Sequence, residues 1–283
     1  MASAESSPQV TTHDKSVLWY TPELQNIETP AREIFENYCK IPSDQVTSHI
    51  LQVREWAWDV WPYPCIGRFN FLDLSLSQSP LYPQILQHVK AGQTLLDLGC
   101  CFAQDIRKLV FDGAPSENTW GADLCADFID LGYDLFLDRE TLKTKFLTAD
   151  IMDPQSALKQ LDGQIDIVYA GSFFHLFGWD DQVKVAKRVV QLLKPRNGSL
   201  VLGRQVGNVR AGEYPRTSAK GLMWRHDGAS LARMWKEVGL ATGTKWNVDA
   251  TLHEVTGFGG LKSGKEWHDE NTRMLRFEVQ RVN

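Results

Sequence analysis

LLDLGCCFAQD, residues Leu95–Asp105, decides the fold. Three leucines around one aspartate run into Gly99, and helix-forming residues follow from Asp105 to Phe111. A short apolar run that ends in glycine suits a strand buried on both faces of a parallel sheet. The same rhythm continues downstream. TWGAD (Thr119–Asp123) reads as a second strand and Ala126–Phe136 as a second helix. KFLTAD (Lys145–Asp150) and DIVYAG (Asp166–Gly171) read as further strands. Asp180–Leu193 places Val183, Ala186, Val190 and Leu193 on one helical face, and LVLG (Leu200–Gly203) returns as a fifth strand. Strands alternating with helices imply right-handed crossovers and an α/β, doubly wound, mostly parallel sheet. Asp227 is expected to cap a further helix that stops at Gly239, before two final strands, Lys245–Glu254 and Met274–Val282.

Upstream the pattern differs. Residues 1–16 are polar and read as a disordered tail, with neither a signal peptide nor a membrane anchor. Residues 17–90 read as a helical N-terminal cap broken by prolines, which leaves 91–283 as the α/β domain. Asp44 is the expected cap of a helix carrying Val46, Ile50, Val53 and Ala57. WPYPCIG (Trp61–Gly67) ends it, because two prolines in four residues cannot continue a helix. Leu81–Val89 reads as another short helix. Most of the aromatic residues between Trp19 and Phe69 are expected in the core, with some left to lid a site.

Composition narrows the partners. The chain has 283 residues, 43% of them hydrophobic, so it holds enough apolar side chains for a sizeable core. A net charge of -5 with no basic run argues against nucleic acid, and no apolar stretch is long enough to span a bilayer. Five cysteines without CxxC spacing suggest reduced thiols in the cytosol, and no metal is expected at Cys100 or Cys101.

In such sheets the ligand lies at the carboxyl ends of the strands, where strand order reverses. Gly99 lets the backbone pass close to a ligand. A G-x-G-x-x-G phosphate turn is absent, which counts against a nicotinamide oxidoreductase. Asp97 at the strand end repels a pyrophosphate and suits a cationic ligand; its other reading is an acid that caps its own loop. Asp123 stands 24 residues after Gly99, where an acid commonly takes a ribose diol. Asp150, or the backbone beside it at Ile151, is placed to meet a base edge. Any one of these is an ordinary strand-end residue, whereas three adjacent acids with a glycine turn are far more specific.

These residues carry a resemblance. DLGC, GAD, TAD, DIVYAGSFFHLF and LLKPRNGSLVLG, in that order, resemble the motifs of class I S-adenosylmethionine-dependent methyltransferases. PYPCIGRFNFLDL, LDLGCCFAQDIRKLVFDGAPSEN and DFIDLGYDLFLD resemble, more narrowly, the fungal methyltransferases of meroterpenoid biosynthesis. The resemblance implies a seven-stranded sheet whose last strand is antiparallel, a helical N-terminal cap and a homodimer. It implies S-adenosylmethionine as cofactor, with Asp97, Gly99 and Cys100 in the first turn, Asp123 and Leu124 at the ribose, and Asp150 and Ile151 at the adenine. It also implies methyl transfer to the carboxylate of a small meroterpenoid acid. The broader class often has glycines where this chain has Cys101 and Ala103.

A carboxylate acceptor is already ionised near neutral pH and needs no general base, whereas a phenol does. His175, just past the fourth strand, is the residue that would face the transfer site; equally, it reads as a structural histidine bonded to backbone. Arg204, Arg225 and His226 are candidates for the substrate, the arginines as bidentate partners of a carboxylate. A phenol O-methyltransferase and a silent methyltransferase-like binding module are the alternatives.

Overall fold

The computed structural model describes residues 13–24, 27, 29–216, 221–255 and 269–283. The N-terminal region holds α1 (Thr29–Glu33), a π-helical turn, α2 (Val46–Val60), the single turn α3 (Pro64–Gly67) and α4 (Tyr82–Lys90). The α/β region runs β1 (Leu95–Leu98), α5 (Gln104–Phe111), β2 (Thr119–Asp123), α6 (Ala126–Phe136), β3 (Lys145–Thr148), β4 (Ile167–Tyr169) and α7 (Trp179–Leu192). It continues with β5 (Leu200–Asn208), β6 (Gly212–Pro215), β7 (Leu222–Arg225), α8 (Gly228–Thr242), β8 (Trp246–His253) and β9 (Thr272–Arg281).

Seven strands form one sheet in the order β3-β2-β1-β4-β5-β9-β8. The first five pair in parallel, and β9 is antiparallel to both neighbours. Strand order reverses between β1 and β4, where a ligand crevice belongs. Side-chain alternation gives each strand two jobs. Leu96, Val168 and Val201 face α7 and α8, while Leu95, Ile167, Tyr169 and Leu202 face α4 and α5.

The cap is welded to the sheet layer through a shared core. Ile34, Phe35, Ile50, Val53, Trp58 and Phe69 pack with Phe102, Phe128, Leu135 and Phe136. Arg107 adds a buried bidentate pair with Asp138, at 2.8 and 2.9 Å, and Tyr38 of the cap donates to the same carboxylate. Trp58 and Phe69 are buried, as expected of the cap aromatics, whereas Trp56 is exposed. Residues 1–12 of the expected tail lie outside the described residues; His13–Ser16 lie against α2, with Trp58 Nε1 donating to the His13 carbonyl and Lys15 paired with Glu55.

Three local expectations are corrected. Asp44 is not the cap of α2: the amide of Gln45 closes a turn on the Pro42 carbonyl, which makes Gln45 the first flanking residue, without a side-chain cap. Helix α8 runs past Gly239 to Thr242 and stops at Gly243, whose φ of +67° suits glycine. Gly239 is needed for a different reason, since a Cβ there would lie 2.6 Å from the Thr244 carbonyl oxygen as the chain folds back. The β6–β7 hairpin is a third difference, an insertion after β5 that the sequence reading leaves as loop. Asp227 caps α8 as expected, in a reciprocal capping box with Ser230.

Candidate active site

Asp97 pairs in register with Gly121 and Tyr169, which places its carboxylate on the α5 side of the sheet. The residue is 3% exposed, and among the described residues its carboxylate has no ion pair and no hydrogen bond. Burial, then the nearby Asp105 and Asp123 carboxylates, push its pKa well above the usual carboxylate range. Asp105, at the start of α5, accepts the Leu76 amide at 2.7 Å and is pushed up by burial to about 6. A buried acid without a partner must hold a proton or find a cation.

The turn after β1 follows from Gly99. Its φ is +75°, and the Gly99 and Cys100 amides both donate to the Ala122 carbonyl, at 2.8 and 3.1 Å. Cys101 and Ala103 are also left-handed, each with φ of +51°. The bulkier loop thus keeps a glycine-like backbone path, at roughly 1–3 kcal/mol per strained residue. Cys100 is a buried filler whose Sγ lies 3.1 Å from where a Cβ on Gly121 would stand.

Asp123, at the end of β2, pins that loop. Its Oδ2 accepts the Cys101 amide at 2.8 Å and its Oδ1 accepts the Cys125 amide at 3.0 Å. Burial raises its pKa, against the pull of these amides. A carboxylate has about four lone-pair sites, so capacity remains for a diol. The Ala149 amide donates to the Asp123 carbonyl and ties in the end of β3. There Asp150 accepts the Met152 amide at 2.8 Å, and Ile151 is buried. Leu124 is 61% exposed and Met152 37%, two apolar side chains in solvent at adjacent strand ends.

The turn after β4 holds His175, half-buried, between Phe174 and Leu176. Phe173 precedes it. The three atoms nearest to where a Cβ on Gly99 would lie all belong to the Phe173 ring, the first at 2.6 Å. The glycine face expected to admit a ligand therefore meets a phenylalanine first. Sequence reasoning passes over Phe173, because only the left-handed turn at Gly99 gives its ring that position.

The proposed substrate residues separate. Arg204, on β5, pairs with Asp73 of the cap at 2.5 Å; burial works against its charge, and Asp73 outweighs it. Beside them Ser75 bonds Tyr169 at 2.5 Å, so cap and strand ends meet in one polar seam. Arg225 and His226 are corrected. Arg225 is buried, donates to Thr272 at 3.1 Å and lies 4.7 Å over the Tyr214 ring, bracing the hairpin. His226 is 0% exposed, between Ser230 at 2.8 Å and the Gln182 Oε1 at 3.0 Å. The Gln182 amide nitrogen donates to the Phe177 and Trp224 carbonyls, so its oxygen accepts and His226 Nε2 donates. Burial lowers the ring's pKa to about 3 and keeps it neutral. It is a structural histidine. Among the described residues no cluster of metal-ligating side chains occurs, no cysteine is in a disulfide, and no helix is long and apolar enough to cross a membrane.

Comparison with known proteins agrees with this geometry. Residues 19–72 match the meroterpenoid methyltransferase N-terminal domain, and residues 95–196 match a methyltransferase domain. The O-methyltransferase atr3 of Stereocaulon alpinum is 51% identical, over 97% of this chain and 79% of its own length. The O-methyltransferase phiE of a fungal species is 45% identical, over 95% of this chain and 94% of that one. The asnovolin E/chermesin D methyltransferase nvfJ of Aspergillus novofumigatus is 45% identical, over 80% and 82%.

Proposed function

The chain belongs to the meroterpenoid methyltransferases, enzymes that use S-adenosylmethionine, and from that membership we propose that it methylates the carboxylate of a polyketide–terpenoid acid to a methyl ester. The observation that carries the site is Asp97, a buried carboxylate that has no partner among the described residues, at the crevice where strand order reverses. S-adenosylmethionine supplies an electrophilic methyl group and brings an ammonium group that answers that charge. In this reading Asp97 takes the ammonium and Asp123 takes the ribose diol with its remaining lone pairs. Leu124 and Met152 would line the adenine, and Asp150 and the Ile151 amide would hold it.

The acceptor is an oxygen in the relatives named O-methyltransferases. The choice of a carboxylate is supported by what His226 does. Both ring nitrogens of His226 are engaged, by Ser230 and Gln182, and burial keeps the ring neutral, so it is no base for a phenol. A carboxylate acceptor has no proton to remove, so the site's work reduces to alignment and exclusion of water. Opposite charges would cancel as a carboxylate meets the sulfonium, and exclusion of water would favour that loss of charge.

The test is chemical. Protein, methyl-labelled S-adenosylmethionine and aromatic polyketide acids should give a product whose label leaves as methanol in mild alkali. An alkali-stable label marks a methyl ether and overturns the ester in favour of a phenol. The homodimer and the cytosolic setting belong to the same proposal; light scattering after gel filtration reads the first.

A further inference from the structure

Asp97, Asp105 and Asp123 place three acids at the crevice, but they do not distinguish the cofactor from its spent form. Both carry the same ammonium and ribose, and they differ in the charged sulfonium. A side chain that reads this difference must touch the sulfur. Phe173 is the side chain that meets the turn at Gly99. Its ring stands on the Cβ-less side of Gly99, two residues beyond Asp97, and is partly exposed. It is also held firmly. Ser172 before it adopts a left-handed φ of +54° while its amide is tied to the Arg204 carbonyl at 2.6 Å. Phe174 and Phe177 brace the ring edge-on, at centroid distances of 5.9 and 5.5 Å. Phe174 is buried in turn against Phe277. The left-handed Ser172 and the two bracing rings together fix the Phe173 side chain, a costly way to place a mere filler.

We propose that Phe173 is a specificity residue for the charged cofactor, its ring attracting the sulfonium of S-adenosylmethionine and not the neutral thioether of S-adenosylhomocysteine. The proposal rests on the cofactor reading above. An aromatic face attracts a cation, and partial desolvation strengthens the attraction. The expected effect is a selective loss of roughly three- to thirtyfold in affinity for the charged form. The consequence is turnover: product formation removes this attraction and eases release.

Dissociation constants for both compounds, measured by calorimetry on the full chain, test it. Phe173→Leu should weaken S-adenosylmethionine several-fold and leave S-adenosylhomocysteine within twofold, and Phe173→Tyr should restore the difference. Should the leucine variant fail to fold, 4-fluoro- and pentafluorophenylalanine at position 173 keep the shape and grade the ring's cation affinity. S-adenosylmethionine should then weaken stepwise with fluorination. Equal weakening of both compounds would make the ring packing only, and no change in either would place it away from the sulfur. Asp97→Asn separates the two levels, because it should weaken both compounds alike. Wild-type binding of neither would sink the cofactor assignment and this proposal together.

Discussion

Asp97→Asn should make the ligand-free protein more stable and its cofactor binding worse. The wild-type carboxyl is buried, has no partner among the described residues, lies near two other acids, and its pKa is raised. A raised carboxyl pKa means that the folded state holds the proton more tightly than the unfolded state. The group's contribution to stability is therefore present below the unfolded pKa, about 4, and is lost as pH rises through the folded pKa. Asp105 follows the same course and loses its share by about 6. A neutral isostere at position 97 removes a buried charge and should gain about 1–3 kcal/mol at pH 8. That corresponds to a rise in Tm of about 2–4 °C per kcal/mol. Binding moves the other way. Losing a charge-assisted contact costs about 1.5–3 kcal/mol, or a Kd for S-adenosylhomocysteine roughly ten- to 150-fold higher. Binding of the cation should also expel a proton from the wild type, seen as a dependence of the calorimetric enthalpy on buffer ionisation heat, and the variant should lose most of that dependence. A variant that binds within twofold of wild type, with unchanged Tm, would refute the assignment of Asp97 as the cofactor's counter-ion.

Asp138→Ala strands the fully buried Arg107, and thermal unfolding should report a loss of about 3–5 kcal/mol. For His226 the lowered pKa of about 3 means that stability is present above the unfolded pKa, about 6.5, and is lost as pH falls through 6.5 toward 3. Urea midpoints of His226→Gln should accordingly lack the wild-type decline between pH 6.5 and 5, and an unchanged decline would place its source elsewhere. Asp123→Ala removes the acceptor of two loop amides, so it should lower both cofactor affinity and Tm, by about 1–3 kcal/mol each.

The strand–helix alternation was legible because parallel strands need continuous apolar runs, and a helix cap such as Asp227 needs only its own next turn. Contacts between distant segments leave no such trace. Arg204 meets Asp73 across 131 positions, and nothing near either residue announces the pair. His226 and Arg225 look like active-site groups by composition, yet the turn into α8 points them inward, where Gln182 and Thr272 satisfy them. The β6–β7 hairpin escaped because each strand is only four residues long, β6 ends on Pro215 and β7 opens with the unbroken apolar run Leu222–Trp224, so neither shows a period-two signature.

Among the strand-end acids, sequence position alone made Asp97, Asp123 and Asp150 look equivalent, and the structure ranks them. Asp150 closes its own turn on Met152, a role that any surface loop could assign to an aspartate. Asp123 commits acceptor sites to the Cys101 and Cys125 amides, so it is architecture first and, in the proposed reading, also site. Asp97 contributes nothing to the fold that offsets its burial, since it accepts no bond and pairs with no cation among the described residues. Under the proposed cofactor assignment, stability and affinity should therefore change in opposite directions at Asp97 and in the same direction at Asp123.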